Sequence, residues 1–117
     1  MPRLMVEGDE LVVAMSAWER AAAFHGDVRV PVGAIQNVAV ESDPWGAIRG
    51  IRAPGTGFPR VIAYGVRRRM GDRPDFVAVL RNRPAVRVEL GRPSKFARLV
   101  VSVDDPQGVV RQLHGAP

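Results

Sequence analysis

The 117-residue chain contains no cysteine, which excludes disulfide staples, thiolate metal sites and cysteine nucleophiles together. Histidine is nearly as scarce: His25 and His114 are the only two, so few metal ligands exist besides carboxylates. Aromatic residues make up 6% of the chain, and Lys95 is the only lysine. No apolar run approaches the roughly 20 residues that a transmembrane helix requires, and no basic segment followed by a long apolar run opens the chain. Together these absences predict a cytoplasmic protein with no transmembrane segment and no cofactor.

What is present describes a folded globular chain. A hydrophobic fraction of 46% beside 25% charged residues argues against general disorder, and the length suits one domain over residues 1–117 with a single core. The net charge of +5 is segregated: residues 1–48 sum to −4, residues 49–98 to +10 and the remainder to −1.

The basic segment centres on residues 49–73. Gly50, Gly55 and Gly57 alternate there with Pro54 and Pro59, a mixture that suits a shaped loop over 49–57 and disfavours helix. A strand over 60–66 follows, carried by Val61, Ile62, Tyr64 and Val66. Arg67, Arg68 and Arg69 come next, and residues 70–74 read as a turn. Three consecutive arginines at a strand end put two on one face and one on the other, so they cannot all be buried. Arginine clusters at a rim suit bidentate capture of carboxylate or phosphate. The competing reading is compositional: sixteen arginines against one lysine, with abundant Ala, Val, Gly and Pro, also fit GC-rich coding and solvated faces balanced by the acidic first half.

Elsewhere the pattern is β-rich. Apolar segments at 4–6 and 10–15 flank Glu7-Gly8-Asp9, a hairpin turn or bulge. Ser16-Ala17-Trp18-Glu19 matches a capping box and predicts a short helix stopping near Gly26, with Trp18, Ala21 or Ala22, and His25 on one side. His25 reads as an ordinary helix-end residue. Strands are expected at 28–32, 35–40, 75–80, 85–90 and 96–103, the clearest being 85–90, where Val86, Val88 and Leu90 alternate with Arg87 and Glu89. Trp45 in the turn 43–46 either stacks on a ligand or closes the end of a barrel. Residues 81–84 and 91–94 are turns. Asp104-Asp105-Pro106 opens a C-terminal helix with an apolar stripe of Val109, Val110 and Leu113, ended by Gly115. The spacing predicts a mainly β meander of about seven antiparallel strands, a small barrel or bent sandwich closed by that helix.

The run Val30-Pro31-Val32 with Ile35 and Val38, the strand 96–103, and Asp104-Asp105-Pro106 leading into Val109, Val110 and Leu113 resemble bacterial proteins with a pleckstrin-homology-like fold, particularly small single-domain ones from high-GC bacteria. The resemblance implies two near-orthogonal sheets, a capping C-terminal helix and a scaffold whose members mainly bind other molecules; it implies no shared ligand. Eukaryotic members that hold inositol phosphates use basic residues around the first hairpin. Here that loop is Glu7-Gly8-Asp9-Glu10, which repels phosphate, and the C-terminal helix lacks the tryptophan usual in that branch. Any anion site must be rebuilt around Arg52, Arg60, Arg67, Arg68, Arg69 and Arg73.

Enzyme signatures are missing. Ser16, Ser42, Ser94 and Ser102 lack a nucleophile-turn context, Gly55-Thr56-Gly57 lacks the lysine of a phosphate-binding loop, and no third glycine completes a dinucleotide fingerprint. The sequence therefore favours a non-catalytic interaction module for a protein partner or a second copy, with an arginine rim suited to acidic partners and free strand edges for β-augmentation. Nucleic acid or an anionic membrane surface is the alternative, through the basic 49–98 region with Tyr64, Phe58 and Phe76 as stacking surfaces. On that view Phe58 and Phe76 are also core candidates.

Overall fold

Period-two alternation builds the first sheet. In the computed structural model, which describes residues 1–58 and 60–114 and the side chains of all these except 52–54, β1 (Arg3–Glu7) and β2 (Glu10–Ala14) form a hairpin with Glu7 opposite Glu10. Gly8 supplies its positive φ of 62°, a conformation glycine adopts without a Cβ clash. β3 (Val28–Pro31) pairs with the other side of β2, giving a three-stranded antiparallel sheet. Between them lies α1 (Ala17–Ala23). It leaves through Phe24 in the left-handed region, not at Gly26, because the Phe24 and His25 N–H groups fold back onto the Ala21 and Arg20 carbonyls.

The second sheet comprises β4 (Ile35–Glu41), β5 (Ile51–Phe58), β6 (Ile62–Arg68), β7 (Asp75–Leu80), β8 (Ala85–Leu90) and β9 (Arg98–Ser102), ordered β4-β8-β9-β7-β6-β5. The structure is therefore mainly β, with nine strands among the described residues instead of about seven, and it is not a meander. β9 inserts between β7 and β8, running parallel to β7 and antiparallel to β8. The reason is burial on both faces: Leu99 and Val101 point one way, Val100 and Ser102 the other, and all four are buried. A strand apolar on both sides is stable only in the interior of a covered sheet.

Residues 49–57 are largely strand, not loop. β5 is an edge strand whose register slips between Arg52 and Gly55, and a bulged edge tolerates Pro54 and the glycines that a central strand would reject. Gly55 is required there: a Cβ would come within 2.2 Å of the Tyr64 carbonyl oxygen. Pro59 and Gly115, assigned above to the loop and to the helix end, lie outside the described residues.

The three-stranded sheet packs on one face of the six-stranded sheet, burying Leu4, Leu11, Val13, Val28 and Val30 against Tyr64, Phe76, Val86, Val88, Leu99 and Val101. α2 (Pro106–His114) rests on β4, β8 and β1 through Leu113, Val109 and Val110, as its stripe predicts. The Asp105 carboxylate accepts from the Gly108 N–H at 3.1 Å and caps the helix. Among the described residues, no helix is long and apolar enough to cross a membrane.

α1 faces inward with Glu19 and Ala23, while Trp18 is half exposed. The capping-box carboxylate accounts for the inward turn of Glu19. Glu19 accepts from the Ser16 N–H at 2.8 Å and from the Tyr64 hydroxyl at 2.8 Å, so the buried charge has two donors. Burial, and then this hydrogen bond, push the Tyr64 phenol well above the usual tyrosine range. Thr56 donates to the Ala22 carbonyl at 2.7 Å and ties β5 to the same helix.

Candidate functional site

The outer face of the six-stranded sheet, away from the three-stranded one, carries a smaller apolar cluster of Ala63, Val77, Val79, Ala85 and Val100. A 3-10 turn at Pro44–Ala47 covers it, laying Trp45, Ala47 and Ile48 over the strands. Trp45 thus sits on a sheet face and does not plug a barrel end. Arginines pin this cover. Arg98 donates to the Ala47 carbonyl at 2.9 Å and to Glu89 at 2.7 Å. Arg49 forks onto the buried Asp75 at 2.6 and 3.2 Å. Arg87 bridges Glu41 and Glu89 at 2.7 and 2.9 Å. The hydrogen bond with Asp75 lifts the Arg49 guanidinium above the usual arginine range, and those with Glu41 and Glu89 do the same for Arg87.

The arginines singled out above separate into different roles. Arg73 is a structural clamp, donating to the carbonyls of Leu90 at 2.9 Å, Ser94 at 2.9 Å and Phe96 at 3.1 Å. Arg69 pairs with Asp72 and lies 3.8 Å from Asp75. The Asp72 carboxyl is held below its ordinary range, first by the Arg73 N–H and then by Arg69 and Arg73. Arg67 donates to the Gly50 carbonyl at 3.3 Å on the outer face. Arg68, on the opposite face of β6, is exposed. The Arg52 backbone pairs with that of Arg67; its side chain lies outside the described ones.

Arg60 has different company. It stands in the β5–β6 turn with φ +60° and lines a cleft of about 560 Å³ together with Ser42, Asp43, Trp45, Arg81 and Arg83. The cleft joins three chain segments: residues 42–45, the β5–β6 turn and the β7–β8 turn. A backbone hydrogen bond from Arg81 to the Val61 carbonyl at 2.8 Å holds the two turns together. Asn82 takes the left-handed conformation, φ +58°, that the second turn requires. Among the described residues the one carboxylate in the lining, Asp43, is 3.4 Å from Arg60, with both side chains largely exposed. The lining thus holds three guanidiniums against one carboxylate, beside the indole of Trp45.

Arg81 and Arg83 are the residues that sequence reasoning missed. In the sequence they read as polar turn positions flanking Asn82, and no run of consecutive charges marks them. The stacking surfaces also resolve: Tyr64 and Phe76 are buried core residues, whereas Phe58 is 68% exposed. Only Phe58 of the three is open to a ligand. Comparison with known proteins finds no match for this chain among family models, curated proteins or solved structures.

Proposed function

We propose that this protein is a cytoplasmic, non-catalytic interaction module whose cleft between the two turns takes an acidic segment of a partner protein. The carrying observation is that Arg60, Arg81 and Arg83 line one cleft with Asp43 as the sole carboxylate among the described lining residues. Guanidinium forks match carboxylates bidentately. The pleckstrin-homology-like scaffold implied by the sequence belongs to the same proposal; the cleft carries the binding reading without it.

The test is a titration with a labelled glutamate-rich peptide at low and at physiological salt. Exposed ion pairs contribute about 0.2–1 kcal/mol each, so Arg60→Glu/Arg81→Glu/Arg83→Glu lowers affinity by about tenfold or more, and binding weakens with salt. Equal binding by this variant overturns the assignment. Single-stranded nucleic acid and anionic vesicles run in parallel. Tighter binding to either, lost in the same variant, transfers the cleft to that polyanion.

A further inference from the structure

α1 buries a charge and exposes apolar side chains. Glu19 and Ala23 point inward, whereas Trp18, Ala21 and Phe24, at a spacing of three, stand exposed. β5 adds to the same side of the molecule. Thr56 donates to the Ala22 carbonyl and pairs across the strands with Tyr64, whose ring lies 5.5 Å from that of Trp18. Phe58 is two residues beyond Thr56, and Ile51 lies opposite Arg68, four residues beyond Tyr64. The two-residue period therefore puts both side chains on the side where α1 sits. Trp18, Phe24, Ile51 and Phe58 are between 52% and 76% exposed, four of the six large apolar side chains left open among the described residues. Such a grouping differs from singly scattered surface residues.

Charge selects among occupants. Arg68 is exposed across from Ile51, and the exposed Arg3 shares a depression with Trp18. Arg20 offsets Asp27 at 3.6 Å. The acidic turn of Glu7, Asp9 and Glu10 lies at the other end of the β1–β2 hairpin, about 13 Å from Arg3 along the strand and beyond the Debye length of about 8 Å at physiological salt. A second copy docking isologously through this face would bring the arginines together, which repels. The register slip between Arg52 and Gly55 also interrupts the free edge that strand pairing between copies needs. Aromatic and branched apolar side chains bordered by arginines are what the interface of an anionic bilayer accepts: the rings enter among the headgroups while the guanidiniums meet lipid phosphates and carboxylates.

We infer that the α1–β5 face docks on an anionic bilayer, with Trp18, Phe24, Ile51 and Phe58 entering the headgroup region and Arg3 and Arg68 meeting the lipid anions. This site is separate from the arginine cleft and stands whether or not the cleft takes an acidic segment.

Co-sedimentation of the full chain with vesicles tests it, one set of phosphatidylcholine with phosphatidylserine and one of phosphatidylcholine alone. Binding to the first set exceeds binding to the second by about tenfold or more and weakens with salt. Phe24→Asn/Phe58→Ser lowers it by about tenfold or more, the loss expected from two large apolar side chains. Asparagine accepts the positive φ of 53° at position 24, and both side chains are exposed, so thermal unfolding of this variant stays close to the parent's. Arg3→Gln/Arg68→Gln removes most of the preference for the anionic set. Trp18 supplies a second readout. Emission of the parent shifts to the blue on the anionic vesicles, and Trp18→Phe, which leaves Trp45 as the only indole, abolishes the shift. Arg81→Gln/Arg83→Gln leaves vesicle binding close to the parent's, which separates this face from the cleft. Absence of binding to the anionic set, equal binding by Phe24→Asn/Phe58→Ser, or a shift that survives Trp18→Phe overturns the inference and leaves the cleft reading standing. Vesicle binding lost in Arg81→Gln/Arg83→Gln overturns it and assigns the membrane to the cleft. A concentration-dependent dimer abolished by Phe24→Asn/Phe58→Ser gives the face to a second copy and overturns the inference. A glutamate-rich peptide whose binding is lost in that variant gives the face to a protein partner and overturns it equally.

Discussion

Arg73 and Arg83 are ten positions apart, both flank turns of the same sheet, and have opposite fates. Arg73 donates to three main-chain carbonyls and is part of the fold; Arg83 stands in an open cleft beside two other arginines. The contrast extends to their surroundings. Around Arg73, the carboxylates of Asp72 and Asp75 neutralise Arg69 and Arg49. Around Arg83, the exposed Asp43 pairs with Arg60, and Arg81 lines the same cleft. Basic composition therefore marks no function by itself: the acceptors that the fold brings to an arginine decide how firmly it is held.

Substitution breaks this contrast most strongly at Arg73. Arg73→Met leaves three carbonyls short of a charged donor and lowers stability by about 3 kcal/mol, read from denaturant unfolding. An unchanged midpoint would remove the clamp from the argument. Adjacent residues sharpen the comparison further. Arg69→Glu sets a third acid beside Asp72 and the buried Asp75 and costs about 2 kcal/mol, whereas Arg68→Glu, at an exposed side chain, changes stability by less than about 0.5 kcal/mol. Equal losses from the two would mean that exposure does not separate them.

The buried Tyr64–Glu19 pair extends the same distinction to an acid. Tyr64→Phe removes one of the two donors to a buried carboxylate and costs about 1–2 kcal/mol. The folded-state value of Tyr64 is raised, so its contribution is full below the ordinary tyrosine value of 10.0 and declines as pH rises beyond it. Tyr64 is the only tyrosine, so phenolate absorbance reports it alone. The prediction is that phenolate appears together with alkaline unfolding, and that the Phe variant loses less stability across that range. Phenolate forming in the folded protein near pH 10.0 contradicts it. The smallest stability effect is expected at the cleft: Arg81→Gln/Arg83→Gln shifts unfolding by less than about 0.5 kcal/mol while weakening the acidic peptide. A stability loss as large as that of Arg73→Met would place these arginines in the fold as well.

Much of the β pattern was legible. The expected strands at 75–80 and 85–90 match β7 and β8, because alternation of Val86, Val88 and Leu90 with Arg87 and Glu89 reports a half-covered face directly. The capping box of Ser16 and Glu19 and the Asp105-Pro106 helix start were equally readable, since both depend on contacts within four residues. Residues 49–57 misled because glycine and proline count as breakers in isolation, whereas a bulged edge strand accommodates them. Strand order was also hidden: no local feature announces that β9 enters between β7 and β8. The site was legible only at Arg60, whose partners Arg81 and Arg83 lie more than twenty residues away.

By itself, then, the sequence determined the mainly β character, most strand positions, both helix starts and the basic excess of residues 49–98. Each follows from composition or from interactions along a few neighbouring residues. Tertiary structure alone decided which arginines are spent on the fold and which face solvent. A guanidinium is satisfied by whatever acceptor stands within about 3 Å. Strand order brings the Leu90 and Phe96 carbonyls to Arg73 and leaves Arg60, Arg81 and Arg83 together around one aspartate.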